Sequence, residues 1–185
     1  MQGRLVTVVG ASGAGKDTLL GAARGALNGD PRFVFARRAI TRPPETQDHA
    51  GAEAHLPMTE AAFLSAREAG AFALHWEAHG LRYGIPRTVE EEMVAGRVVV
   101  ANLSRAVLAG VPAAYRLRVL LVTAPPELRA ARLQGRGRES REEIMLRLRR
   151  EAPLPAGLDV VEIPNDAAPE HGAARLLAAL RAAAE

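Results

Sequence analysis

Lys16 is the only lysine in the chain, one ammonium against 23 arginines in a total of 24 basic residues. It lies in Gly10-Ala11-Ser12-Gly13-Ala14-Gly15-Lys16-Asp17-Thr18, directly after the apolar run Leu5-Val6-Thr7-Val8-Val9. Three glycines let such a backbone turn tightly and aim successive N–H groups at a polyphosphate, and a helix starting near Lys16 adds its positive N-terminal dipole. A lysine supplies a compact charge on a flexible stem that can follow the β and γ phosphates during transfer. Arginine's planar fork is bulkier and held in one geometry. The segment is therefore predicted to be a phosphate-binding loop. The residue after the lysine, ordinarily Ser or Thr for Mg²⁺, is Asp17, with a hydroxyl one position later at Thr18. Either Asp17 reaches the metal through water or Thr18 does so in a shifted register.

The arginines form two further groups. Arg37-Arg38-Ala39-Ile40-Thr41-Arg42 sets three guanidiniums and a hydroxyl in six residues, a clamp suited to an anionic acceptor. Farther on, Arg129, Arg132, Arg136, Arg138, Arg141, Arg147, Arg149 and Arg150 bracket Gly135 and Gly137. Guanidiniums on helices beside a glycine-hinged turn can close over a polyphosphate, neutralise the moving γ phosphoryl and exclude water. Charge runs are also commonly just solvated faces, and Arg147, Arg149 and Arg150 fit that description best. No catalytic base is evident, and an anionic acceptor such as a phosphate would need none, because its oxygen is already ionised at neutral pH and requires only alignment and charge neutralisation. Glu77 is read as a hydrogen-bonding partner of an acceptor hydroxyl or of an arginine. Arg82, Arg87 and Arg105 are candidates for a second acceptor phosphate, each with a plain surface reading beside it. The five histidines, His49, His55, His75, His79 and His171, have no metal-ligand spacing.

These groups must be positioned by alternating strands and helices. Residues 98–101, 117–122 and 158–163 are short, branched-residue runs like the first strand, as in a parallel sheet covered on both faces. Residues 88–91 and 140–143 fit capping boxes, Pro125-Pro126 opens a helix, and the stretch from Ala168 to Ala184 is an Ala/Leu-rich helix. The expected architecture is an α/β three-layer P-loop fold with a parallel sheet and right-handed crossovers, a single domain over 1–185. Residues 37–87 interrupt the alternation. Pro43-Pro44, Asp48, Gly51 and Pro57 mark loops, Thr59 caps a helix through Ala69, and 72–76 is an extra strand. This segment is read as an insertion carrying the acceptor, and 129–150 as an arginine-rich lid.

Composition sets limits on the alternatives. With 185 residues and 48% apolar content the chain can bury one good core, and with no cysteine it carries no disulfide or thiol chemistry. No long uncharged apolar run is present, and the chain passes at once into a charged residue and a strand, so neither a spanning helix nor a signal peptide is expected and the protein is read as cytoplasmic. The formal net charge is only +3 despite a pI near 10.1, which follows from arginine usage and calls for no nucleic acid. At 4% aromatic content a base-stacking platform is not expected either. A base-reading Asn-Lys-x-Asp is impossible without a second lysine, which excludes an ordinary GTPase.

The loop GASGAGKDT, the RAITR segment, residues 77–84 (Glu77-Ala78-His79-Gly80-Leu81-Arg82-Tyr83-Gly84), residues 132–139 and Asn165-Asp166 occur in an order that resembles the guanylate kinase superfamily over nearly the whole chain. Within it, the GKD loop, Asn102-Leu103-Ser104-Arg105 and the arginine-glycine-arginine-glutamate segment are most similar to the ribose 1,5-bisphosphate phosphokinases. The resemblance implies a guanylate kinase-like fold with ATP and Mg²⁺ as donor and ribose 1,5-bisphosphate as acceptor, giving phosphoribosyl pyrophosphate in phosphonate breakdown. It implies that Arg132, Arg136 and Arg138 are lid arginines acting with Lys16, that Asn165 lies near the adenine, and that Arg38, Arg42 and Tyr83 hold acceptor phosphate. Gly51-Ala52-Glu53-Ala54-His55-Leu56 has no tyrosine where guanylate kinases use one, and a sugar carrying two phosphates would use the surplus arginines. GMP as acceptor, or a non-catalytic guanylate-kinase-like module, is the alternative. The expected partner is a phosphorylated sugar, with no nucleic acid or membrane, and self-association as a homodimer is left open.

Overall fold

The computed structural model describes residues 3–42, 55–135, 145 and 153–185. Its principal sheet contains β1 (Arg4–Gly10), β2 (Phe33–Phe35), β7 (Val98–Asn102), β8 (Arg118–Thr123) and β9 (Asp159–Pro164) in the order β2-β7-β1-β8-β9, every pairing parallel. A parallel sheet buried on both faces needs apolar residues at successive positions. In β1 this divides cleanly. Val6 and Val8 join Leu19 and Leu20 of α1 (Lys16–Ala26) and Leu176 and Leu180 of α5 (Pro169–Ala182) in one core. Leu5 and Val9 point the other way, into a second core with Val89 and Met93 of α3 (Val89–Val94), Leu108 and Tyr115. The α/β three-layer architecture expected from the sequence is therefore present, and the glycine-rich loop leaves the C-terminal end of the central strand, where ligands bind in such sheets.

The second sheet is drawn wholly from the segment set apart by its composition. Its order is β4-β3-β6-β5, from β3 (Ala39–Ile40), β4 (Leu56–Pro57), β5 (Phe72–Ala78) and β6 (Leu81–Pro86). The extra strand expected at 72–76 exists, two residues longer and paired antiparallel with a strand that the sequence reading did not identify. His79 and Gly80 join them with φ of 53° and 71°, the left-handed backbone that a two-residue hairpin turn demands. The turn thereby fixes the register Trp76↔Tyr83 and Glu77↔Arg82. α2 (Glu60–Glu68) covers one face through Phe63, whose ring stacks on Phe72 at 4.6 Å.

Helix ends show where local signals succeed. Thr59 has extended backbone and its hydroxyl accepts a hydrogen bond from the Ala62 N–H at 3.2 Å, the cap expected there. The capping box expected at 88–91 does not form. Thr88 is already helical, with φ −54° and ψ −20°, and makes no side-chain cap bond. The box expected at 140–143 lies outside the described residues. α4 (Pro126–Gln134) begins at the Pro125-Pro126 pair as expected. No helix among the described residues is long and apolar enough to cross a membrane.

Two short 3₁₀ turns, Arg105–Gly110 and Ala113–Tyr115, link β7 to β8. Tyr115 is buried there and its hydroxyl donates to Glu90 on α3, tying this connection to the helix. Burial first, then the hydrogen bond to Glu90 and its charge, push the phenol up to about 12. A phenol whose folded pKa is raised contributes stability in full below its ordinary value of 10.0, and that contribution is lost as pH climbs toward 12. Urea unfolding should therefore show wild type more stable than Tyr115→Phe near neutral pH, with the gap shrinking steadily above about pH 10.

Candidate active site

Lys16 opens α1, preceded by Gly15 at φ 90°, with Gly13 at φ 81° earlier in the loop. Left-handed backbone at two positions two residues apart costs a side-chain-bearing residue energy and costs glycine little. It makes alternate peptide groups face opposite ways, so that some N–H groups converge as an anion cradle. The Lys16 ammonium donates to Asn102 Oδ1 at 2.8 Å and to Asp17 Oδ1 at 2.9 Å, and Asn102 Nδ2 donates to the same Asp17 oxygen at 3.1 Å. The three side chains close a triangle at the mouth of the loop. Asn102 is 2% exposed at the end of β7, opposite Val8 in register, so the strand pairing itself brings it to the lysine.

Asp17 carries the negative charge of this triangle. Partial burial works to raise its pKa, but the Lys16 charge and hydrogen bond outweigh it. With the charge of Arg38 and the Asn102 hydrogen bond, they hold the carboxyl below its ordinary value of 3.8. Asp17 is thus an ionised oxygen donor on the loop, with the Thr18 hydroxyl next to it in sequence and exposed. This donor set suits a hard divalent cation such as Mg²⁺. The sequence reading treated Asn102 only as the absence of a carboxylate. Its place at the C-terminal end of a buried strand was the signal that could have marked it.

Beneath the loop, three side chains hold carbonyl oxygens. Arg129, 7% exposed on α4, donates from Nε to Ser12 O at 3.0 Å. Arg132, one turn on, donates to Ala14 O at 3.3 Å and to Asn165 O at 3.2 Å. Asn165 Nδ2 donates to Ala14 O at 2.7 Å. Asn165 was expected beside an adenine and Arg132 over the phosphates. The structure places the Asn165 carboxamide, 3% exposed, under the loop, and the Arg132 guanidinium on loop backbone. Arg136 and Arg138 lie outside the described residues.

The acceptor residues divide between two faces of the second sheet. Trp76 and Tyr83 are directly opposed across β5 and β6 and stack at 5.3 Å, and the Arg38 guanidinium lies over Tyr83 at 5.7 Å. The charge of Arg38 contributes to holding the Asp17 carboxyl down, and Trp76 on this face packs against the second core. Glu77 and Arg82, the next opposed pair, point to the other face because strand side chains alternate. Glu77 was expected to hydrogen-bond an acceptor hydroxyl or an arginine. Its carboxylate pairs with Arg82, which also binds Glu60 at 3.0 Å. Arg42 and Thr41 line a cavity of about 880 Å³ on that side with Glu60, Glu77 and Arg82. The Thr41 hydroxyl accepts the Arg82 N–H at 2.8 Å, closing the sheet rather than binding a ligand. Arg87 is spent on the Gly70 and Phe72 carbonyls. Arg105 opens the 3₁₀ turn after β7, half-buried. Among the described residues no group of three or more His, Cys, Asp and Glu side chains is placed to hold a metal ion.

The charge balance at Asp17 is open to measurement. Carboxyl ¹³C NMR should show the Asp17 midpoint below 3.8 in wild type and higher in Lys16→Met, where the largest opposing charge is removed. An unchanged midpoint would break the link between the two groups.

No protein-family model matches the chain. Over 168 residues it is 52% identical to a protein of Brucella melitensis named ribose 1,5-bisphosphate phosphokinase PhnN, a match covering 89% of this chain and 84% of that one. A protein of the same name from Methylobacterium radiotolerans is 48% identical over 183 residues, 98% of this chain and 99% of that one. Among solved structures, a guanylate kinase from Anaplasma phagocytophilum superposes with a TM-score of 0.63 at 19% identity, covering 97% of this chain and 85% of that chain. That likeness establishes a shared guanylate kinase-like fold. The sequence identity goes further, because it holds over almost the full length of both partners, and the chain belongs to the ribose 1,5-bisphosphate phosphokinase family.

Proposed function

We propose that the protein transfers the γ phosphoryl group of ATP to the 1-phosphate of ribose 1,5-bisphosphate, giving phosphoribosyl pyrophosphate and ADP. An oxygen of the acceptor's 1-phosphate forms the new bond to the γ phosphorus, and the bond to the β–γ bridging oxygen breaks, with that electron pair leaving on ADP. The observation that carries this reading is the Lys16–Asp17–Asn102 triangle at the mouth of the loop, together with Arg38 held over Tyr83 of the second sheet. A donor phosphate on the loop and an acceptor phosphate on Arg38 would then face each other, and two anions can be drawn together only where fixed positive charge offsets their repulsion. The name carried by the relatives supports ribose 1,5-bisphosphate as the acceptor.

Each residue has a definite task in this scheme. Residues Gly10 to Gly15 wrap the triphosphate with backbone N–H groups, and Lys16 leaves its resting partners Asp17 and Asn102 to follow the β and γ oxygens. Asp17 and Thr18 would hold Mg²⁺, which when bound neutralises charge on the phosphate oxygens. Arg38, Tyr83 and Arg105 take the acceptor's reacting phosphate, Arg42 serves the acceptor from the cavity on the other side of the second sheet, and Arg132, Arg136 and Arg138 cover the transferring group. Glu77, paired with Arg82, positions the second sheet. No proton has to be removed, since the attacking oxygen is already ionised.

Two experiments test the scheme. Purified protein with ATP and Mg²⁺ should convert ribose 1,5-bisphosphate to a product with the mass of phosphoribosyl pyrophosphate, and should leave GMP unconverted. GDP formation without the sugar product would replace the proposal with guanylate kinase activity, and failure to turn over either acceptor or to bind ATP would indicate a non-catalytic module. In the same assay Lys16→Ala should lose at least about 100-fold in kcat, the scale expected when one preorganised donor to the transition-state charge is removed, with the thermal midpoint little changed. Normal turnover in that variant would take the loop out of the mechanism.

A further inference from the structure

The peptide group is planar and trans, so its C=O and N–H point in opposite directions and fixing one aims the other. The Ser12 carbonyl belongs to the same peptide as the Gly13 N–H, and the Ala14 carbonyl to the same peptide as the Gly15 N–H. Arg129 holds the first oxygen, at 3.0 Å. Arg132 and Asn165 hold the second, at 3.3 and 2.7 Å. The two residues whose N–H groups are thereby aimed away from α4 are the two loop glycines with positive φ, at 81° and 90°. Glycine allows these peptides to flip at little cost, so the geometry that makes the cradle possible also leaves it floppy unless something behind it resists rotation.

We infer that Arg129 is a positioning residue for nucleotide binding, which acts through the Ser12 carbonyl to hold the Gly13 N–H toward the phosphates. This rests on the proposed function, in that the loop is taken to bind ATP. Three observations favour Arg129 over a chance contact. Its side chain is 7% exposed although it is an arginine, so a charge has been taken out of water to reach this oxygen. The α4 backbone abuts the loop so closely that a β-carbon on Gly13 would stand 2.7 Å from Arg129 O, which leaves the loop no space to rotate toward the helix. A guanidinium on a carbonyl also polarises the peptide and makes its N–H a stronger donor on the far side. Arg132 and Asn165 repeat the arrangement two peptides later, so that α4 and the segment after β9 brace alternate peptides of one turn.

The test measures nucleotide affinity and steady-state constants together. Wild type, Arg129→Met and Arg129→Lys are titrated by calorimetry with the Mg²⁺ complex of a non-hydrolysable β,γ-imido ATP analogue, and KM is measured separately for ATP and for ribose 1,5-bisphosphate. Arg129→Met should bind the analogue about 10-fold more weakly and raise KM for ATP to match, leaving KM for the acceptor within twofold, and Arg129→Lys should recover most of the loss. Analogue affinity equal to wild type in a folded Arg129→Met, with only a lowered thermal midpoint, would overturn the inference and leave Arg129 a packing residue. If the Met variant does not fold, Arg129→Gln, which keeps the stem but is too short to reach Ser12, must show the same selective loss for the proposal to stand, and wild-type affinity in it would also overturn it. Absence of analogue binding in wild type itself would fail the proposed function instead, a result distinct from either.

Discussion

An ammonium that is to meet a triphosphate has to be held, before the nucleotide arrives, at the place where the phosphates will lie. Lys16 meets this requirement with one charge and one dipole. Asp17 offers a carboxylate from the adjacent residue, and Asn102 offers a carbonyl from a strand 86 residues away. A second carboxylate on β7 would bind the ammonium more strongly and make its release to phosphate costlier. The neutral amide gives the ammonium a partner without that additional charge, and its own N–H₂ donates to Asp17. Most of the fold can be read as the support of this triangle, because Asn102 stands opposite Val8 only if β7 lies parallel beside β1 in one register.

The same requirement explains the uneven division of basic residues. Arginine dominates wherever the partner is a carbonyl, a carboxylate or an aromatic face held in place: Arg129 and Arg132 under the loop, Arg82 between two glutamates, Arg38 on Tyr83. Each of these contacts uses a planar, forked, permanently charged group that does not have to move. The single lysine stands where the proposed transfer would require the charge to travel. Arginines that look like surplus acceptor clamps in the sequence are accordingly divided between structural and ligand-facing duties, and Arg82 and Arg87 belong to the first kind.

The acceptor side shows how a strand's alternation sorts residues that are neighbours in sequence. Glu77 and Trp76 are adjacent, as are Arg82 and Tyr83, yet one of each pair faces the second core and the other faces α2. The His79–Gly80 turn sets that division, since a shift of one residue would exchange every side chain between the faces. Glu77 and Tyr83, both read from the sequence as acceptor residues, stand on opposite faces of this hairpin.

The amino-acid sequence by itself determined what depends on near neighbours. The glycine spacing and following lysine announced the loop, the branched runs announced a parallel sheet, and Thr59 announced a helix start that its hydroxyl then made, because each of these rests on backbone geometry within a few residues. The Thr88 cap was misread because Thr88 itself has helical backbone angles, which do not aim its hydroxyl at the first free N–H groups of the helix. Tertiary structure alone decided the contacts that complete the site. Lys16 with Asn102, Ser12 with Arg129 and Ala14 with Asn165 join residues 86, 117 and 151 positions apart. Strand order, helix crossing and the choice of sheet face bring such pairs together, and these follow from how two cores pack on a shared sheet, which no local pattern encodes.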